Sequence, residues 1–454
     1  MSMKKLFDVD KHNLLFHNKA LFALLIPIVV EQLLNSFMGM VDTMMVSNLG
    51  SQAISGVSLV DSVNNLIVQL FSAMATGAAI ICSHYIGMRN KDGANKAARQ
   101  VVLTVMVISL AITILGLIFR RPLLTLIFGH VEQEVMDNAV DYFLFTALSY
   151  PFLALFSAGS AIFRSCGNSR YPMTVSVISN VFNIGGNALL MFVFKLGVSG
   201  AAISTLVSRV FCMVVIFIAL SKPKLDIVVK DYTAIRPDFG LIKSILAIGV
   251  PSGIENSMFQ FGKLAIQSTV STLGTAAIAA QAMTNILENV NGIFGIGVGM
   301  CLMTVVGQTL GAGRKEEAKY YIVKLAGIAE LGIIASCLLV YAFAGPITRL
   351  GGMETDSARM CIEMVGAITI VKPLVWVLSF VPAYGMRAAG DVKFSMITSI
   401  ITMWGCRVAL SIALIRIFGM GPIGVWYGMF ADWTIRGIIF TTRFFSGRWV
   451  KKVI

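Results

Sequence analysis

Charge is scarce in this chain. Acidic and basic residues make up 13% of its 454 residues against 57% hydrophobic, and the mean hydropathy is +0.82. Soluble domains carry roughly 25% charged residues, so a soluble fold is excluded. Cysteine offers no scaffold: Cys82, Cys166, Cys212, Cys301, Cys337, Cys361 and Cys406 are odd in number, lie mostly in apolar runs and show no CxxC spacing. Disulfides and zinc are both disfavoured on that pattern. Histidine is rarer still. His12, His17, His84 and His130 are scattered, there is no HExxH, GxSxG or P-loop, and the Gly295, Gly297, Gly299 run falls in a helical segment with no strand before it. A membrane-embedded enzyme is therefore a poor reading, and no cofactor is expected.

What the chain does have is apolar runs about 20 to 28 residues long, enough to cross a hydrocarbon core of about 30 Å as helix. The first, Ala20 to Met45, is too long and too polar at its centre for a signal-peptide core and has no small-residue cleavage site after it, so it is expected to remain as the first span. Glycine, proline and charge clusters delimit spans near residues 20–45, 52–84, 94–118, 136–163, 172–194 and 199–220, then 241–270, 276–308, 318–343, 358–385, 395–417 and 422–442. The expectation is an all-α membrane protein of twelve transmembrane helices in two pseudo-symmetric six-helix lobes: an N-lobe over 1–220, a cytoplasmic linker over 221–240 and a C-lobe over 241–454.

The net charge of +13 follows membrane orientation, not nucleic acid. Alternate loops place Lys4, Lys5, Lys11, Lys19, Arg89, Lys91, Lys96, Arg99, Arg164, Arg170, Lys222, Lys224, Lys230, Arg236 and Lys243 on one side. The second half adds Arg314, Lys315, Lys319, Lys324, Arg387, Lys393, Arg443, Arg448, Lys451 and Lys452 to that side, against Arg120, Arg121, Lys195, Arg349, Arg359 and Arg416 opposite. The positive-inside rule puts both termini and the linker in the cytoplasm, and the lack of a recognisable targeting segment suits a bacterial inner membrane.

The two halves repeat with an offset of 224 residues. Pro27 to Glu31 returns as Pro251 to Glu255, Leu49-Gly50 as Leu273-Gly274, Ala53-Ile54 as Ala277-Ile278, and His84 to Gly87 as Gln308 to Gly311. Two related halves of apolar helices are the pattern of a transporter with a substrate site between lobes. Ionisable groups in such helices cost roughly 2.5 to 3.5 kcal/mol on translocon scales, so each needs a partner or a task. Span one carries Glu31, Asn35 and Asp42 near one face; Asp42 is either a helix end dipping into water or a carboxylate facing the lobe interior. Asp61, Asn64 and Asn65 of span two recur as Asn285, Glu288 and Asn289 of span eight. That recurrence favours polar cavity walls over isolated interhelical bonds. Asn183 and Asn187 of span five and Ser204 and Thr205 of span six suit helix packing or a site equally well. In the second half Lys263, Lys372, Arg407 and Arg436 stand against Glu255, Glu288 and Asp432. Asp432 and Arg436, four apart, most simply pair. Lys372, beside a Pro373 that favours a kink, either neutralises Glu255 or Glu288 or contacts an anionic substrate group.

With Pro27 and Asp42 in span one, the turn at Gly87 to Lys91, Arg164-Ser-Cys-Gly-Asn-Ser-Arg-Tyr-Pro172-Met173, Asn183-Ile-Gly-Gly-Asn187 and Gly197 to Thr205, the chain resembles the multidrug and toxic compound extrusion (MATE) transporters over nearly its whole length. The resemblance implies a first-lobe cation site at Asp42, Asn183, Asn187 and Thr205. Asn187 stands where one branch of that family has a second aspartate, as in the branch described as sodium-coupled, so Asp42 is the one carboxylate and either a proton or one sodium ion suits it. Phe259 and Lys372 fall where second-lobe acids are expected, with Glu255 about a turn away.

The resulting expectation is a monomeric antiporter that exports amphipathic, cationic compounds in exchange for H+ or Na+ at Asp42. Glu31, Asn35, Asp61, Asn64, Asn65, Glu255, Lys263, Asn285, Glu288, Asn289 and Lys372 line its cavity. Burial penalises an uncompensated carboxylate, so cation binding acts as a switch that repacks span one at Pro27. The rival is a flippase for a lipid or lipid-linked sugar, with Lys263, Lys372 and Arg407 holding phosphate. A field dominated by those bases favours the flippase; one dominated by Glu31, Asp42, Asp61 and Glu288 favours cations.

Overall fold

The computed structural model describes residues 13–129, 132–222, 225–229 and 236–450. Lys4, Lys5, Lys11, His12, His130, Lys224, Lys230, Lys451 and Lys452, with part of the expected linker, lie outside the described residues.

The described chain is helical almost throughout, because within lipid every backbone N–H and C=O must be satisfied inside its own segment. The first six spans are Asn18–Ser47, Ser51–Gly87, Lys91–Ile118, the pair Gln133–Leu148 and Tyr150–Ser165, Arg170–Asn187 prolonged by a π-turn at Ala188–Val193, and Gly197–Leu220. The pair forming span four is bent by 43° at Ser149, ahead of Pro151. The second six are Phe239–Val270, Thr275–Gly311, Lys315–Leu350, Thr355–Ala388, the run Val392–Thr402, Met403–Leu410 and Ser411–Arg416 with a π-turn in its middle, and Ile423–Phe445. Span nine continues well past the expected 343, through Pro346 to Leu350. A further helix, Arg120–Phe128, is too short to cross.

Nine of these helices and the bent pair are long and apolar enough to span a membrane. The other two, spans seven and twelve, carry Glu255, Lys263, Asp432 and Arg436 among their apolar residues. Large side chains point outward where lipid would be: Val181, Leu331 and Ile370 are among the exposed apolar residues.

The chain forms two compact units, Asn18–Gly253 and Ile254–Ile454, the latter including the described residues 13–17. Within the second, Leu15 N–H donates to Glu317 Oε1 at 2.5 Å and Phe16 N–H to the Tyr321 hydroxyl at 2.7 Å, which ties the N-terminal segment to span nine. Glycines set the closest helix crossings. A Cβ on Gly56 would meet the Val135 carbonyl oxygen at 2.9 Å, and one on Gly295 or Gly299 would run into the Trp376 or Tyr384 ring. The glycine run of span eight therefore seats the aromatics of span ten.

The offset of 224 persists to the end of the repeat. Gly200 packs on Leu190 and Gly424 on Leu414; Ser204 touches the main chain of Asn183, and Gly428 that of Arg407. The turns after spans four and ten also correspond, one residue short of that offset, with Gly167 at φ +78° and Gly390 at φ +86°, a left-handed conformation that glycine adopts without steric cost.

Candidate functional site

Asp42 sits near the C-terminal end of span one, half-buried. Span five brings two amides to it, one helical turn apart. Asn187 Nδ2 donates to Asp42 Oδ1 at 2.7 Å. In the amide orientation that satisfies both ends of Asn183, its Nδ2 donates to the same oxygen at 3.1 Å and its Oδ1 accepts the Thr205 N–H at 3.3 Å. Ser204 Oγ donates to the Asn183 carbonyl at 2.9 Å, locking span six against span five. The structure thus brings together Asp42, Asn183, Asn187 and Thr205, the last through its main chain. Asn187 Oδ1 is buried with no hydrogen-bond partner among the described residues. The carboxylate itself is a hard donor suited to a proton or an alkali cation, and the two amides, which here present their N–H groups to it, add hard oxygens only when they turn over. The π-turn begins directly after Asn187; such wide turns leave carbonyls without helical partners and recur at functional sites.

Asp61 adjoins this cluster. Asn64 Nδ2 donates to its Oδ1 at 3.3 Å, while the Tyr150 hydroxyl donates to Asn64 Oδ1 at 2.7 Å. Sequence reasoning does not single out Arg209 of span six, yet it is the cation of this interior: its Nη1 donates to Ser149 Oγ at 2.6 Å and its charge acts on both Asp42 and Asp61. A base in the middle of an apolar span is a signal of the same kind as Lys372, and it was there to be read.

Several expected cavity residues have other tasks. Glu31 is 3% exposed and receives Arg164 Nη2 on both oxygens, at 2.9 and 2.8 Å. Glu255, at the repeat position, is 2% exposed and receives Arg387 Nη2 at 2.6 Å. Both carboxylates stand in buried ion pairs, each neutralised by an arginine from the end of span four or span ten. Lys372, fully buried, holds Glu288 Oε1 at 2.6 Å and the Glu288 carbonyl at 3.2 Å, the neutralising one of its two expected roles. Asn64 and Glu288, repeat partners, each bond to span four or span ten, which is the interhelical reading. Asn65 and Asn289, also partners, are exposed; Asn35 is exposed too and accepts from Ser176 Oγ at 3.2 Å. Asn285 is half-buried and accepts weakly from Gln281 at 3.4 Å. Lys263 is exposed and has no ion pair within 4 Å among the described residues. Asp432, 0% exposed, is shared by Arg407 at 3.0 Å and Arg436 at 2.8 Å.

The sequence pattern described as MatE matches this chain twice, over residues 27–189 and 251–413. The chain belongs to the MatE family. Among its relatives are an uncharacterized transporter, YisQ, of Bacillus subtilis, 28% identical over 439 residues that cover 95% of each chain, and a probable multidrug resistance protein, NorM, of Thermotoga maritima, 24% identical over 96% of this chain and 94% of that one. A solved structure of MATE in complex with MaL6 superposes with a TM-score of 0.89 at 20% identity, covering 95% of this chain and 97% of that chain. The protein is thus a multi-pass membrane transporter of the MATE fold, with twelve spans in two six-helix lobes, as its sequence resemblance implied.

Proposed function

We propose that this MatE-family protein is a secondary antiporter that exports amphipathic compounds from the cytoplasm by alternating access, driven by a proton or sodium ion exchanged at Asp42. The observation that carries the reading is the meeting of Asp42 with both amides of span five, at 2.7 and 3.1 Å. A carboxylate held by neutral donors keeps most of its charge uncompensated, whereas Glu31 and Glu255 have arginines. Asp42 therefore gains most from a cation that arrives and leaves. With the cation bound, the amides are released from Asp42 and can turn their oxygens toward it, which repacks spans one and five. One charge crossing about 100 mV yields about 2.3 kcal/mol, close to fortyfold in concentration. Chemistry on a substrate has no part in this reading. Both termini lie in the cytoplasm of a cell inner membrane, and one copy suffices.

The test uses proteoliposomes with an imposed proton or sodium gradient, loaded with cationic ethidium or anionic carboxyfluorescein. Whichever dye the wild type moves, Asp42→Asn should lower gradient-driven movement at least about tenfold, the loss of about 1.4 kcal/mol of coupling. Gradient-driven transport that survives in Asp42→Asn removes Asp42 from the mechanism.

A further inference from the structure

The two units are built on one repeat, yet they differ at the positions that form the Asp42 cluster. An offset of 224 carries Asp42 to Ile266, Asn183 to Arg407 and Thr205 to Met429. The equivalence is structural as well as numerical, since Ser204 hydrogen-bonds the Asn183 carbonyl and a Cβ on Gly428 would lie 3.1 Å from the Arg407 carbonyl. Ile266 is 6% exposed and carries no charge. In the second unit a carboxylate has been replaced by an alkyl side chain and an amide by a guanidinium.

Around Arg407 the charges do not balance. Lys263, Lys372, Arg407 and Arg436 face two carboxylates, Glu288 and Asp432; Glu288 is held by Lys372 at 2.6 Å, and Asp432 is divided between the two arginines. The surplus falls on Lys263 and Arg407, which act on each other and share the field of Glu288. Lys263 has an exposed position and no ion pair, while Arg407 is buried with its Nε unpartnered. Arg407 has only a shared carboxylate and Lys263 no ion pair among the described residues, and cations so incompletely balanced in an apolar helix bundle are costly unless something anionic meets them. Phe259 adds an apolar surface, with Arg407 at 5.4 Å and Arg436 at 4.9 Å from its ring centroid.

We infer that Lys263 and Arg407 form an anion site in the second unit, taking the phosphate or carboxylate group of an amphipathic substrate whose apolar part lies along Phe259. The inference rests on the transporter reading and specifies its substrate class. It reverses the charge expected from sequence, because two of the four carboxylates behind that expectation, Glu31 and Glu288, are neutralised by Arg164 and Lys372. A guanidinium and an ammonium together suit a doubly accepting oxyanion.

Binding is tested on the purified full chain in a neutral detergent, by tryptophan fluorescence during titration with dodecyl phosphate and, separately, dodecyltrimethylammonium. Dodecyl phosphate should bind more tightly; Lys263→Gln should weaken it about tenfold and Lys263→Arg should restore it, with both variants eluting as the wild type in gel filtration. Equal affinity for the two amphiphiles, or dodecyl phosphate affinity unmoved in Lys263→Gln, overturns the inference. The source of the anion is read in proteoliposomes: gradient-driven efflux of carboxyfluorescein assigns a soluble compound, and flipping of a fluorescent phosphatidylglycerol assigns a lipid headgroup. Movement of ethidium with neither of these overturns the substrate class while leaving Asp42 coupling standing. The binding measurement needs no gradient, so the anion site and the antiport reading can each fail alone.

Discussion

Glu31 and Asp42 stand eleven residues apart on one helix and have opposite fates. Glu31 meets Arg164, whereas Asp42 meets two amides and no cation within 4 Å among the described residues. The difference separates a carboxylate neutralised within the fold from one held by neutral groups alone. Removing one member of a buried pair strands the other, at about 3 to 5 kcal/mol, while replacing both with apolar groups costs far less. Arg164→Leu should therefore lower the thermal midpoint of the detergent-solubilised protein sharply, and Glu31→Leu combined with Arg164→Leu should recover much of the loss. A double variant as unstable as the sum of the singles would show that the two residues act independently. Neither partner of Glu31 nor of Glu255 was legible in the sequence. Arg164 and Arg387 stand at the ends of apolar spans, where loop counting assigns arginines to water. Only the turn geometry, with glycine at positive φ three residues later, directs them inward.

At the scale of elements, crossings are set by what is missing from a side chain. Gly295 leaves room for the Trp376 ring, so Gly295→Val should destabilise by about 1 to 3 kcal/mol through overpacking of spans eight and ten. A melting curve coincident with wild type would remove that glycine from the packing argument. The start of span seven offers a pH test. Asp238 accepts from Lys96 Nζ at 2.6 Å and from the Leu241 and Gly240 N–H groups, and these contacts hold its carboxyl below its ordinary value. A depressed folded value stabilises above the unfolded value and is lost as pH falls through the folded one. Asp238→Ala should thus lower the thermal midpoint at pH 7, with the gap to wild type closing as pH drops below about 4. A gap unchanged at acid pH would assign the effect to something other than this carboxylate. Span positions were readable because apolar runs and charged turns alternate; the π-turns at Ala188–Val193 and Met403–Leu410 were not, since a single inserted residue leaves hydrophobic periodicity almost intact.

For the whole molecule, the twofold repeat was legible from matched prolines, glycines and acids, and the meeting of Asp42 with span five from a family resemblance. Substrate charge is not legible from sequence alone, because formal charges do not declare their partners. Glu31 and Glu288 read as part of a negative field until their bases are found. Arg209, which tempers Asp42 and Asp61, went unweighed for the same reason.

The carboxylate–arginine clamp occurs in both halves, Glu31 with Arg164 and Glu255 with Arg387, at nearly the same spacing. What both copies share, the single ancestral half possessed before duplication. That half-length progenitor already had its brace, and descent has since altered Asp42 to Ile266 and Asn183 to Arg407, or the reverse, without touching it. Fusing two copies into one polypeptide made this divergence possible: identical subunits must mutate together, whereas tethered ones can divide labour.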